Sequence, residues 1–573
     1  MTKPKPAPIN KSSELKIGPF SGGMNTWSDA SAIADSELVD CLNFDIDLDG
    51  SLKSRPPVAN LYTPINNTYT AGTFLEASTQ VLGTLVGNAG DRIVVYQYIE
   101  RIQSPDSDKI ILIAYFIDGG LAGTSRVMTT ITSSSNPFTS MVRYKNTVYF
   151  TRAKGGGGKI DIGSFIYSDL PSMPPASKGV VYKERLFLVG DQAGTNYSRM
   201  TFSDIGNAEN FPPANFFDIR PGDGEYLNDF ILYQDNLVLF KNSSIWVFSY
   251  DTQPQQAVLQ QLHNNLGVEN SWSLCLYENV IYFLKYNQVY QISNFQFTRI
   301  STKLVFEDDK TLPTSIGVNW NDTQWKFPNW MSLVGDRLVI RFYNRLYCYC
   351  LRTRAWARWD SQDNNVKYMG QIVKVNTAGV VSRQGYDSYV MGSSLTKPPY
   401  PGIVNYCIQT TMILRDTYLS TGTEGVAFIS GPAQVFDILL KIKTKIYDIG
   451  ISHRFKRLMH WGCDIVTGQN VTGTLNPFSL AYRVTWSQLH TVRWNETQTW
   501  GYPLFQQPSN TQTAVADSGV YRRYIRFPKS LRFRLLQFEV SLKTVGNTKD
   551  GPARLYSLTA FIRQKQLVPK GVN

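Results

Sequence analysis

The chain has 573 residues, of which 42% are hydrophobic, 13% aromatic and 18% charged. That mixture excludes a disordered polyelectrolyte, and the length leaves room for two to four domains. The net charge of +12 is unevenly placed: residues 441–573 hold 20 Lys and Arg against 6 Asp and Glu, leaving 37 against 39 elsewhere. All of the excess lies in the C-terminal quarter, which suggests a surface for a polyanion or an acidic partner.

With 32 Tyr, 30 Phe, 42 Gly and 28 Pro, the composition favours strands and turns. The longest apolar run, Ile110 to Ile117, is far short of the ~20 residues that span a bilayer. Six cysteines in this length do not form a disulfide framework, which points to folding in a reducing cytoplasm.

In chain order, residues 1–16 open with Met1-Thr-Lys-Pro-Lys-Pro-Ala-Pro, an extended Pro/Lys arm rather than an apolar export segment. Residues 17–69 form an opening hairpin segment. Within it Gly22-Gly23 permits a turn with positive φ, and Asp49-Gly50 is a strong hairpin signal. Arg55 before Pro56 favours an extended exit. Asp35-Ser-Glu-Leu-Val-Asp-Cys-Leu42 predicts a short helix capped by Asp35. Asp45-x-Asp47-x-Asp49-Gly50 opens like a calcium loop, but Pro56 stands where the loop needs a bidentate Glu. A turn without an ion is expected there.

Residues 70–400 carry the most informative pattern. Five phrases share one register: Tyr144-Lys-Asn-Thr-Val148, Tyr182-Lys-Glu-Arg-Leu186, Tyr233-Gln-Asp-Asn-Leu237, Tyr277-Glu-Asn-Val-Ile281 and Val334-Gly-Asp-Arg-Leu338. Each is an apolar residue, a mostly polar turn and a β-rich run, with starts 38 to 57 residues apart. That spacing fits one four-stranded blade per repeat, and units of this kind bury their faces only by stacking into a ring. The expectation is a β-propeller, with a first blade around Gln80 to Ile117 and a last around Gly370 to Met391.

Inside this region Gly155 to Gly158 predicts a flexible loop tip, since no Lys-Ser/Thr follows for a phosphate cradle. Cys348 and Cys350 fall on one face of a strand as small buried groups. Trp356-Ala-Arg-Trp359 ends a blade with its rings in the core. Pro-rich breaks at 171–175, 212–213 and 397–401 punctuate the region, and the last marks a domain boundary.

Residues 401–573 keep strand-like runs such as Val435 to Ile446 and predict a basic β-sandwich. His453, His460 and Cys463 match no zinc spacing. No metal, cofactor or catalytic set is expected, and the chain is read as a non-enzyme. Arg532 and Arg534 alternate with Leu531, Phe533 and Leu535, so both arginines share one strand face. Leu535-Leu536 breaks that phase and suggests a bulge that re-aims the strand. With Arg522, Arg523, Arg526 and Lys529 nearby, this region predicts a cationic surface. Contact with DNA, docking on an acidic neighbour and a merely solvated face all remain open. Docking is favoured here, because a strongly cationic channel would hold phosphates.

The segment running Phe20-Ser-Gly22-Gly23-Met-Asn, Leu42-Asn43-Phe44-Asp45 and Gly50-Ser-Leu52-Lys-Ser-Arg55-Pro56-Pro57 resembles the opening of tail nozzle proteins (tail tubular protein B) of short-tailed bacteriophages and related phage virion proteins. Two further phrases are similar to that family. One is Phe202-Ser203-Asp204, Glu209-Asn210-Phe211, Gly222-Asp-Gly224 and Leu239-Phe240-Lys241 with Ile245-Trp246; the other is Arg526-Phe-Pro-Lys529-Ser-Leu-Arg532-Phe-Arg534. The resemblance implies an all-β protein, a β-propeller with a C-terminal platform-like β-sandwich. It also implies subunits in a ring, usually six, below a portal and adaptor and near tail fibres, around a channel that holds and then passes genomic DNA. The protein would be made in the host cytoplasm and reside in the virion tail. A carbohydrate-binding or glycoside-cleaving propeller is the alternative, with Trp320, Trp325 and Trp330 as sugar platforms and Glu307-Asp308-Asp309 as an acidic loop.

Overall fold

In the computed structural model the five repeated phrases each end one strand and turn directly into the next. The structure describes residues 12–359 apart from 56–57, 62–73, 88–91, 103–107, 117–124, 134–135, 192–193, 195, 269–272, 306–329, 335 and 343–344. Beyond 359 it describes 366–372, 388–396, 411–415, 439–448, 456–466, 478–485, 521–526, 532–533, 535–543 and 554–564.

Among the described residues, seven four-stranded antiparallel units follow one another, and we number them as blades. Blade 1 is Phe74–Val86, Arg92–Ile102, Asp108–Phe116 and Ser125–Ser133. Blade 2 is Phe138–Tyr144, Thr147–Arg152, Gly157–Asp161 and Tyr167–Leu170; blade 3 is Lys178–Tyr182, Arg185–Val189, Arg199–Phe202 and Phe216–Asp218. Blade 4 is Leu227–Tyr233, Asn236–Lys241, Ile245–Ser249 and Val258–His263; blade 5 is Leu274–Tyr277, Val280–Lys285, Gln288–Ser293 and Gln296–Arg299. Blade 6 is Trp330–Val334, Arg337–Phe342, Arg345–Cys350 and Ala355–Trp359.

Blade 7 is composite. Val366–Ile372, Ser388–Thr396 and Thr411–Arg415 pair in turn, and the fourth strand, Val58–Leu61, comes from the other end of the chain. Except between blades 4 and 5, the first strand of each blade lies against the first strand of the next, and that of blade 7 lies against that of blade 1. Between blades 4 and 5 the junction is a shared core of Tyr233, Phe240, Ile281 and Phe283. The succession closes on itself as a β-propeller.

Tyr144, Tyr182, Tyr233 and Tyr277 therefore hold the last position of the first strand in blades 2 to 5, as the repeat predicts. The turns after three of them are Lys183-Glu184, Gln234-Asp235 and Glu278-Asn279, and both residues of each pair have positive φ, between 43° and 63°. These are type I′ turns built without glycine. Their twist matches the right-handed twist of the strands they join, which offsets a backbone cost of about 1–2 kcal/mol per residue. The apolar layers lie between blades: Phe187, Phe202, Phe230 and Phe248 fill the space between blades 3 and 4, and Ile110, Leu112, Phe138 and Phe150 that between blades 1 and 2.

The remaining strands form a β-sandwich that is continuous with blade 6. Its first sheet extends blade 6 outward through Glu37–Leu42, Leu439–Thr444, Leu535–Lys543 and Phe478–Thr485. Its second sheet runs Tyr521–Arg526, Lys456–Val466, Arg554–Gln564, Leu52–Ser54 and Phe44–Ile46, with Ser12–Ile17 on Arg554–Gln564 and Arg532–Phe533 on Lys456–Val466. Phe44, Leu52, Leu558 and Ile562 of the second sheet pack with Leu38, Leu440, Ile442 and Phe538 of the first in one core. Residues 12–16, read as the end of an arm, are part of a strand registered along Arg563 to Leu558. The boundary expected at 397–401 is corrected, since Thr411–Arg415 beyond it and Val58–Leu61 from the opening segment both belong to blade 7; residues 397–401 themselves and 1–11 lie outside the described residues.

Two local expectations are corrected. The helix read over Asp35 to Leu42 is the strand Glu37–Leu42, since Leu38 and Cys41 are fully buried between blade 6 and Leu439–Thr444. Tertiary burial overrides a weak helical preference in so short a piece. The glycine run is a loop tip only at Gly155 and Gly156, with φ of 101° and 70°. Gly157 and Gly158 are strand residues, and a Cβ there would meet Met173 and the Tyr167 ring at 2.4 and 2.3 Å.

Candidate functional site

The residues of the opening phrase that carries the family resemblance meet in one junction between propeller and sandwich. Asn43 has φ 60°, and its N–H donates to the Arg358 carbonyl of blade 6 at 2.7 Å. Its side-chain Oδ1 accepts from Arg55 Nε at 2.9 Å, and its carbonyl accepts from Arg55 N–H at 2.9 Å. Two bonds from one arginine hold a left-handed asparagine between two sheets. Gly22 N–H donates to Ser36 O at 3.0 Å, and Gly23, with φ 67°, passes so close to blade 6 that a Cβ would lie 2.7 Å from Trp356 N. Gly50, with φ 76°, leaves room for Pro19. Pro56 lies outside the described residues.

Asp45 anchors the same junction. It is 5% exposed, its Oδ2 lies 3.1 Å from Arg337 Nε, and its Oδ1 accepts from Trp359 Nε1 at 3.2 Å. Burial pushes its carboxyl above the usual carboxylate range, against the pull of Arg337. Asp47 instead pairs with Arg554 at 3.4 Å, and Asp49 Oδ1 accepts from Ser51 N–H at 2.8 Å. The three carboxylates of the calcium-like phrase diverge, so the phrase builds a hairpin. Trp356 and Trp359 are both 2% exposed, as expected for the end of a blade.

Two charged contacts inside the propeller were not legible in the sequence. Lys241, fully buried, donates to Ser198 Oγ at 3.2 Å, Ile219 O at 2.9 Å and Asp223 Oδ2 at 2.5 Å, which ties down the Gly222-Asp-Gly224 loop. Asp229, also fully buried, accepts from Phe230 N–H at 2.7 Å and faces Lys178 Nζ at 3.6 Å. Burial raises the Asp229 carboxyl to about 6 despite Lys178. No sequence spacing links position 178 to 229; only adjacent first strands do.

The predicted cationic surface is partly assembled by register. Arg532 is paired with Arg457, and Arg457 is paired on its other side with Arg563. Directly opposed residues of antiparallel strands lie on one face of a sheet. This is the face away from the core, since the next residues in register, Phe533, Lys456, Leu458 and Ile562, lie on the core side with Ile562 fully buried. Arg526, opposite His460, and Arg522, opposite Asp464, fall on the same face as Arg532, whereas Arg523, opposite Cys463, falls on the core side. His460 and Cys463 thus lie on opposite faces. Lys529 and Arg534 are outside the described residues. The chain crosses there from one sheet to the other: Arg532–Phe533 pairs in the second sheet and Leu535–Lys543 in the first. The bulge expected at Leu535-Leu536 is not present: residues 535–542 pair with 485–478 in unbroken register, and the strands before and after Arg534 simply belong to different sheets.

Among the described residues there is no group of three or more His, Cys, Asp or Glu placed to hold a metal, and no helix long and apolar enough to cross a membrane. Glu307 to Asp309, Trp320 and Trp325 are outside the described residues, and Trp330 opens blade 6.

No family model matches the chain, and no curated protein matches it in sequence. Solved structures similar to it include PorZ, an essential bacterial surface component of the type-IX secretion system of Porphyromonas gingivalis. That match has 11% identity and a TM-score of 0.32, and covers 69% of this chain and 44% of that one. BamB from Moraxella catarrhalis matches at 10% identity and a TM-score of 0.31, over 71% of this chain and all of BamB. Sqt1 of Saccharomyces cerevisiae matches at 10% identity and 0.34, over 62% of this chain and 99% of Sqt1. The chain spans less than half of PorZ, and likeness at these scores carries no functional argument.

Proposed function

We propose that the chain is a structural virion protein of a bacteriophage tail: the nozzle subunit, six copies of which form a ring around the channel that retains and then passes the genome. The observation that carries this reading is the junction. Within the opening phrase by which the sequence resembles tail nozzle proteins, Gly23, Asn43 and Asp45 fasten the opening hairpin to blade 6, Arg55 braces Asn43, and Leu52 and Lys53 pair with the C-terminal strand Arg554–Gln564. Lys241 and the Gly222-Asp-Gly224 loop, two parts of another such phrase, are likewise in direct contact. A closed propeller rigidly fused to a sandwich can bear load as one body, which suits a part that holds packaged DNA. Its role is structural rather than catalytic, and its partners are its own copies, an adaptor or portal-side ring, tail fibres and the passing DNA.

The test is the assembly state of the purified full-length chain, by light scattering and negative-stain images. A closed ring of six supports the reading. A monomer that also binds oligosaccharides would sink it and favour the glycan-binding alternative.

A further inference from the structure

From the register of the second sandwich sheet we infer that its outer face binds the phosphate backbone of duplex DNA. Arg532, Arg457 and Arg563 stand side by side on three adjacent strands, about 4.8 Å apart. Arg563 is exposed. Arg522 and Arg526 extend the same face on one side, and Lys16, exposed and opposite Thr559, extends it on the other. Among the described residues of this sheet, the acidic ones on that face are Glu14, which is exposed, Asp464, which accepts from Ser557 Oγ at 2.8 Å, and Asp45, which is opposite Lys53 at the far edge and buried against Arg337. With Lys53 and Arg554, the described strands place eight basic positions against three acidic ones on this face, which makes it strongly cationic.

Like charges directly opposed across a sheet are destabilising, so such a row is best compensated by closely spaced anions. A DNA duplex supplies one charge per ~1.7 Å of its axis. A second copy of this chain does not, because its residues 1–440 carry 37 basic and 39 acidic side chains and offer little net negative charge. Tyr524, between Arg522 and Arg526, and Phe561, beside Arg563 on its strand, add aromatic positions to the face, of the kind that contact sugars and bases. Backbone contacts of this class let proteins slide along DNA, so a cationic face is compatible with a moving duplex. The inference does not rest on the tail reading, since neither ring formation nor particle location enters its test.

The experiment is fluorescence polarisation of a short labelled DNA duplex of random sequence with the full chain across a salt series. Wild-type protein is expected to bind with a strong salt dependence. Arg457→Ala, Arg532→Ala and Arg563→Ala combined should weaken binding at least tenfold and reduce the log–log salt slope by about 2.7, or about 0.9 per lost phosphate contact. The matching Arg→Lys triple variant keeps the charge and should keep the slope, which separates lost contacts from lost folding; Lys145→Ala on the propeller is the control. Unchanged affinity in the Ala triple variant overturns the inference. So does competition by poly-glutamate as effective as that by unlabelled duplex, which would assign the face to an acidic protein.

Discussion

The hydroxyl of Tyr182 donates to the carbonyl of Asp235 at 2.8 Å, across the gap between one blade and the first turn of the next. Tyr144 reaches Glu184 in the same way at 3.3 Å, and the Tyr233 hydroxyl accepts from Asn294 N–H of blade 5 at 2.9 Å. The repeated tyrosine is thus a strut between neighbouring blades as well as a core residue. Tyr182→Phe and Tyr144→Phe are each expected to cost about 1 kcal/mol, and the two losses should add, because the contacts lie in separate interfaces. Denaturant unfolding measures this, and unchanged midpoints would leave the tyrosines as packing residues only.

The Asp45–Arg337 pair should respond asymmetrically to substitution. Arg337→Ala leaves a buried carboxylate without its nearest cation and should cost about 3–5 kcal/mol. Asp45→Ala should cost less, since Arg337 retains Asp336 at 3.5 Å. Because burial already raises the Asp45 carboxyl, acidification should recover part of the Arg337→Ala loss by neutralising it. Equal losses for both substitutions, or a loss independent of pH, would contradict this account.

Two glycines with positive φ separate backbone strain from collision. Gly222, with φ 88° and no atom within 4 Å of an added Cβ, should tolerate alanine at a cost of about 1–2 kcal/mol. Gly23→Ala adds a collision with backbone atoms of Trp356 and should cost about 4 kcal/mol or more. Melting temperatures of the two variants read out the difference, and comparable shifts would argue against the tight junction.

Asp229 predicts a pH dependence. Its carboxyl is raised to about 6 in the fold and sits near 3.9 in an unfolded chain. Between these values the folded state holds the extra proton, so this group adds stability as pH falls from about 7 towards 4 and adds no more below that. Asp229→Asn should remove this slope, worth on the order of 3 kcal/mol over the window. The quantity to measure is the wild-type minus variant unfolding free energy at several pH values; a flat difference from pH 7 to 4 excludes the assignment.

Blades 2 to 6 were legible because each carries a strand end and turn that are local in sequence. Blades 1 and 7 lack the phrase and were expected only roughly, around Gln80 to Ile117 and Gly370 to Met391; the outer strand of blade 7, Val58–Leu61, was missed because it pairs with the distant residues 411–414. Glu37–Leu42 was misread for a related reason: its strand form depends on neighbours near 358 and 441–444. The arginines of the basic face were partly visible as a cluster from 522 to 534. Arg457 and Arg563 joined them only through register, which composition and spacing do not encode.

The pairing of Ser12 with Arg563 and of Val58 with Leu414 also sets the order of events during synthesis. Ser12–Ile17 is made well before Arg554–Gln564, its partner in the sandwich. Blades 2 to 5 can collapse as they emerge, while strands near both ends wait with unpaired edges. Closing that span costs on the order of 6 kcal/mol in chain entropy. The final structure is therefore a clasp between distant segments that forms only once Arg554–Gln564 has been made, and until then its exposed edges are the part of the chain most in need of a chaperone.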